Sequence, residues 1–179
     1  MKGIVFTEFL ELVGRRYGPE VMDLIIEASD LPSGAAYTAV GTYDHREMLT
    51  LAENLSKATR VPVAELLKTY GEHLFARFVV RYPQFFARIT STFEFLDRIE
   101  EHIHVEVKKL YPDAELPSIQ VNWLAENRIH FVYSSTRPLA AFAEGMMRGA
   151  VAYFGEKIAI REIDVAADGT FILFELTRS

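Results

Sequence analysis

Tyr133, Ser135 and Arg137 alternate along the stretch YSSTRP, and Pro138 follows directly. On a strand, where side chains point to opposite faces in turn, all three would share one side. A phenol, a hydroxyl and a guanidinium about 7 Å apart form a donor set for an anion, the guanidinium fork being matched to carboxylate or phosphate. The plainer alternative is a solvated strand face with an incidental arginine, and the stretch alone does not separate the two. A second candidate lies among the five histidines, His45, His73, His102, His104 and His130. In EEHIHVEV, a helix would hold the rings of His102 and His104 about 200° apart, so both cannot ligate one metal. They flank an apolar stripe of Leu96, Ile99, Ile103, Val107 and Leu110 on opposite sides, and the helical wheel does not choose between them. Other chemistry lacks its residues. There is no G-x-S-x-G elbow and no glycine-rich phosphate loop, which disfavours serine hydrolysis and nucleotide cradling. No cysteine is present, so thiolate catalysis, disulfides and cysteine-bound zinc are excluded.

Some framework has to position these residues. A chain of 179 residues, half of them hydrophobic, is long enough for one domain with a sizeable core. The net charge of −6 disfavours nucleic acid or an anionic membrane as the main partner. The start, MKGIVFTEFLELVGRRYG, patterns as an amphipathic helix rather than a signal peptide. No apolar run reaches membrane-spanning length, and a soluble, cytoplasmic protein is expected. Helical periodicity predicts helices over 4–16, 19–28, 45–58, from Pro62 to Tyr82, and over 92–111. Asp44 is predicted to cap the third of these, with Glu47 completing a capping box. The period then changes. SIQVNWL and RIHFVYSSTR predict one hairpin, KIAIREIDVA and TFILFELTR a second, and 138–155 a helix between them. The expected fold is α+β: a helical N-terminal part, then an antiparallel sheet of about four strands with one inserted helix.

The residues also resemble a known family. Tyr133-x-Ser135-x-Arg137 is similar to the haem-propionate motif of the haem nitric oxide/oxygen-binding (H-NOX) domains, which include the sensor domain of soluble guanylate cyclase. The likeness extends over nearly the whole chain, through AELLKTYGEHLFARF, IHVEVKKLYP and the final strands. It implies a single domain over 1–179, with a distal part of about 1–62 and a proximal part of about 63–179. Haem b (protoporphyrin IX iron) would be buried between the helical and sheet parts. Tyr133, Ser135 and Arg137 would then hold propionates, which need donors once the macrocycle is buried. The resemblance also separates the two histidines. The family's iron ligand lies eight residues before a Tyr-Pro proline, which makes it His104, ahead of Pro112. Pro117 matches the proline that packs on the family's haem and distorts it.

On the distal side, oxygen-binding members carry a tyrosine five residues after the motif arginine, supported by a tryptophan and an asparagine. Phe142, Phe9 and Leu74 stand at those positions, with Val5, Phe78 and Met146 completing an apolar wall. Without a donor the resemblance implies a nitric oxide sensor that also takes carbon monoxide, and not an enzyme, so no catalytic residue is assigned. Nitric oxide would weaken the bond between His104 and the iron. With the sequence ending at Ser179, just past the last strand, the effector is expected in trans, as a histidine kinase or a cyclic-di-GMP enzyme. Two alternatives stand beside this: an oxygen-binding H-NOX sensor, and a haem-free carboxylate-binding domain or enzyme using the same three residues.

Overall fold

The computed structural model describes residues 1–179 and divides them into two compact units, Met1–Tyr70 and Gly71–Ser179. The first unit begins with α1 (Gly3–Tyr17) and α2 (Pro19–Ser29). Gly18 separates them at a φ of 92°, a conformation that favours glycine, and Pro19 supplies the fixed φ of a helix start. After a turn-rich loop comes α3 (His45–Thr59), capped as expected by Asp44, whose carboxylate accepts from the Arg46 backbone N–H at 2.9 Å. The capping box is not formed. Glu47 is buried and instead accepts hydrogen bonds from the hydroxyls of Ser33 and Tyr37. A carboxylate that can staple the preceding loop gains more there than by reaching back to an exposed N–H. Phe6, Phe9, Val13, Ile25, Met48, Leu51 and Leu55 are among the buried apolar residues of this unit.

Helix α4 (Val63–Arg81) ends before Pro83, which opens a short 3-10 turn. Gly71 begins the second unit, where α4 lies close to α7 (Ala140–Phe154). A Cβ at Gly71 would sit 2.4 Å from the Phe142 carbonyl and 2.7 Å from the Met146 nitrogen, so only glycine permits this approach. The helix expected over 92–111 is in three pieces: α5 (Thr92–Asp97), a π-helical turn (Ile99–Ile103), and α6 (His104–Leu110). The break has a packing cause. Ile99, Ile103 and Val107 all lie against the hydrophobic cluster of this unit. Four residues of α-helix turn about 40° past a full circle, and one wider turn takes back the drift. π-turns of this kind concentrate at functional sites.

Four strands follow: β1 (Ser118–Ala125), β2 (Arg128–Ser134), β3 (Ile158–Val165) and β4 (Phe171–Arg178), in a sheet of order β1-β2-β4-β3 with every pairing antiparallel. The two hairpins are as expected, joined through β2 and β4. Ile129, Phe131 and Tyr133 of β2, with Ile172, Phe174 and Leu176 of β4, alternate onto one buried face, which shares a core with Met147 and Ala150 of α7. No helix is long and apolar enough to cross a membrane.

Candidate haem site

Strand β2 ends at Ser134, earlier than the ten-residue strand read from the alternation. Ser135 keeps one ladder-like bond, its N–H donating to the Thr170 carbonyl at 2.8 Å, and then the chain bends. Its hydroxyl accepts from the Arg137 N–H at 3.1 Å, a local turn that takes the place of strand pairing. The three side chains nonetheless come together. Burial raises the Tyr133 phenol above its ordinary range, opposed by a hydrogen bond with the Ser135 side chain and by the Arg137 charge. The guanidinium holds a carboxylate already: one nitrogen donates to the side chain of Glu115, and another donates to the Glu115 carbonyl at 3.1 Å. Arg137 is 11% exposed while Glu115 is 80% exposed. The mostly covered guanidinium is thus paired with a loop carboxylate at the surface.

The two histidines are distinguished by the structure in a way the wheel could not supply. His102 is exposed within the π-turn, whereas the His104 side chain is 14% exposed. Burial holds the His104 imidazole below its ordinary range, with Glu100 opposing and Lys108 reinforcing the shift, which favours the neutral, ligating form. Its Nδ1 lies 3.0 Å from Glu100 Oε2. A carboxylate can only accept there, so Nδ1 carries the proton and Nε2 keeps the lone pair a metal needs. His104 and Pro117 line one cleft of about 150 Å³, together with Glu100, Val105, Lys108, Leu116 and Ser118.

Of the distal residues, Phe9 and Leu74 are each 1% exposed, and Val5, Phe78, Phe142 and Met146 are half-buried. A tyrosine missed by the sequence reading stands beside Val5 and Phe9. Tyr70 meets Phe9 edge to face with ring centroids 5.1 Å apart, and its hydroxyl donates to the Val5 carbonyl. That proton is committed to the backbone. Glu100, Glu115 and Tyr70 are therefore the additions that the structure makes. Of these, only Glu100 left a sequence signal, its spacing of four residues from His104 on a helix.

The donor set fits a flat iron macrocycle bearing carboxylates. No group of three or more His, Cys, Asp or Glu side chains is placed to hold a bare metal ion, whereas a single neutral histidine suits an axial position. A guanidinium can take a carboxylate with two parallel bonds, and Arg137 already pairs with one oxygen of the Glu115 carboxylate.

Comparison with known proteins agrees with this chemistry. A family model described as Haem-NO-binding matches residues 2–162. The chain is similar to the Fe(II) unliganded H-NOX protein from K. algicida, at 42% identity and a TM-score of 0.95, covering 100% of this chain and 97% of that one. It is similar to the IWP-051-bound H-NOX from Shewanella woodyi in the Fe(II)CO state, at 39% identity and a TM-score of 0.85, covering 100% and 95%. It is also similar to an H-NOX protein from S. oneidensis in the Fe(II)NO state, at 27% identity and a TM-score of 0.92, covering 100% and 99%. No curated protein sequence matches the chain.

Proposed function

We infer a sensing function because the chain belongs to the haem-NO-binding (H-NOX) family. H-NOX domains are sensors rather than enzymes, and this chain is a haem-based gas sensor. The finer assignment is that it senses nitric oxide through haem b held by His104, and signals to a separate effector protein.

The observation that carries the assignment is the state of His104: neutral by burial, with Nδ1 engaged by Glu100 and Nε2 left to ligate. Bound ferrous haem supplies the metal at which a diatomic gas coordinates. The chain does the rest. Arg137, Ser135 and Tyr133 would take the propionates, Arg137 exchanging the exposed Glu115 carboxylate for a buried one. Pro117, in the cleft with His104, would set the shape against which the ring rests.

Selectivity for nitric oxide is supported by the absence of a hydrogen-bond donor at the expected distal positions. Phe9, Leu74 and Phe142 carry none, and the Tyr70 hydroxyl is held by Val5. Bound oxygen gains negative charge and wants a hydrogen bond, which nitric oxide does not need. A missing charge-assisted bond is worth about 1.5–3 kcal/mol, one to two decades of affinity. Carbon monoxide, which also depends little on a donor, is the second expected ligand. Were His104 released, the segment from the π-turn through α6 would shift within the limits that the packing of Ile99, Ile103 and Val107 sets, and its surface is what an effector in trans, a histidine kinase or a cyclic-di-GMP enzyme, would sense. His104→Gly tests the assignment: haem retention should be lost and recovered with added imidazole, while His102→Ala behaves as wild type. Loss of haem in the His102 variant alone would refute it.

A further inference from the structure

One carboxylate oxygen serves two elements. Glu100 Oε2 lies 3.0 Å from His104 Nδ1 and also accepts the backbone N–H of Ile119 at 3.1 Å. Glu100 sits in the π-turn, and its spacing of four residues brings it to the face of His104. Ile119 is in β1, an edge strand, and in register it stands opposite Tyr133 of β2. An edge strand turns alternate N–H groups away from its neighbour. Glu100 satisfies one of these at the position level with Tyr133. A chain of contacts thus runs from His104 through Glu100 to Ile119, and across the strand pair to the phenol beside Ser135 and Arg137.

We propose that Glu100 is the positioning residue of His104 and the latch that ties the histidine to β1. This rests on the assignment of His104 as the haem ligand. A carboxylate on Nδ1 fixes the ring orientation and makes Nε2 a stronger donor to a metal, as carboxylate–histidine pairs do at other metal centres. The same oxygen makes the ring position felt by β1. When His104 moves, the Glu100 carboxylate moves with it or loses it, and the hold on the Ile119 N–H changes in either case. The latch therefore links the histidine to the strand position that faces Tyr133, without requiring the helix to travel as a rigid rod.

The test uses the ferrous haem-loaded protein with two readouts: the iron–histidine stretching band and the hydrogen-exchange rate of the Ile119 amide. Glu100→Ala should lower the band frequency, speed Ile119 exchange about tenfold, and speed haem dissociation about tenfold. Glu100→Gln, whose amide oxygen can still accept both bonds, should restore Ile119 protection and give an intermediate band. Glu101→Gln, an exposed neighbour, should leave every readout at wild type. If the Glu100→Ala band or the Ile119 exchange rate matches wild type, the latch is wrong. Failure of the underlying assignment looks different: His104→Gly would then keep the wild-type iron–histidine band.

Discussion

Arg137 is a charged side chain that the fold keeps mostly out of solvent, which is costly unless the charge is matched. Its partner, Glu115, is exposed on a loop, and an exposed carboxylate adds little to such a pair. A buried propionate is the better partner, so the three members of the clamp should differ in their contributions. Arg137→Ala should speed haem dissociation most, because it removes a charge-assisted fork. Tyr133→Phe should come next, its phenol being buried, and Ser135→Ala last, its hydroxyl already accepting from the backbone. Dissociation rates measured by transfer of haem to an acceptor protein give the order, and three equal rates would remove the clamp from the account. On the distal side, Phe142→Tyr alone lacks a group to orient the new phenol. Leu74→Asn combined with Phe142→Tyr supplies both groups, and should raise oxygen affinity by about one to two decades, read by titrating the ferrous protein with oxygen.

Helix α5 is anchored at its N-terminal end by three side-chain oxygens. Ser91 accepts from the Glu94 N–H at 3.2 Å, Glu94 accepts from the Thr90 N–H at 2.9 Å, and Glu156 accepts from the Thr92 N–H at 2.6 Å. Ser91→Ala should cost about 1 kcal/mol, seen as a lower denaturation midpoint with the haem spectrum unchanged. Burial works to raise Glu156, but its bonds with Thr92 and the Arg178 charge outweigh burial and hold it below its ordinary range. A depressed folded-state value gives stability that is present above the unfolded value of 4.5 and lost as pH falls through the folded one. Glu156→Gln should therefore be less stable than wild type at neutral pH, with the difference shrinking in acid, as urea midpoints across that range would reveal. Both hairpins and the helix between them were legible in the sequence because one-sided burial imposes a period of two or of 3.6. The end of β2 was not, because Ser134-Ser135-Thr136-Arg137 carries no glycine or proline to mark where the ladder stops, the first such signal being Pro138. The π-turn was hidden too: the spacing of Ile99, Ile103 and Val107 suits a helix, and only their packing against the sheet core shows that a wider turn is needed. Glu47 had the spacing of a capping box, but its burial among Ser33 and Tyr37 decided its partners. His104 was singled out by resemblance to a family, since the helical wheel gave His102 equal standing.

The proposed choice of nitric oxide draws on Phe9, Leu74 and Phe142, residues far apart in the chain, so it is tested on the intact protein. Full-length similarity to H-NOX structures, with 42% identity to the K. algicida protein, supports a haem-based gas sensor, while the proposed choice of nitric oxide draws on this chain's own apolar side chains and on the Tyr70 hydroxyl, which donates to the Val5 carbonyl. The most direct measurement is the absorption spectrum of the reduced, haem-loaded protein, taken without ligand, then in air, then with nitric oxide. The account predicts no stable new species in air and a clear change with nitric oxide. A stable change in air that reverses on degassing would contradict it.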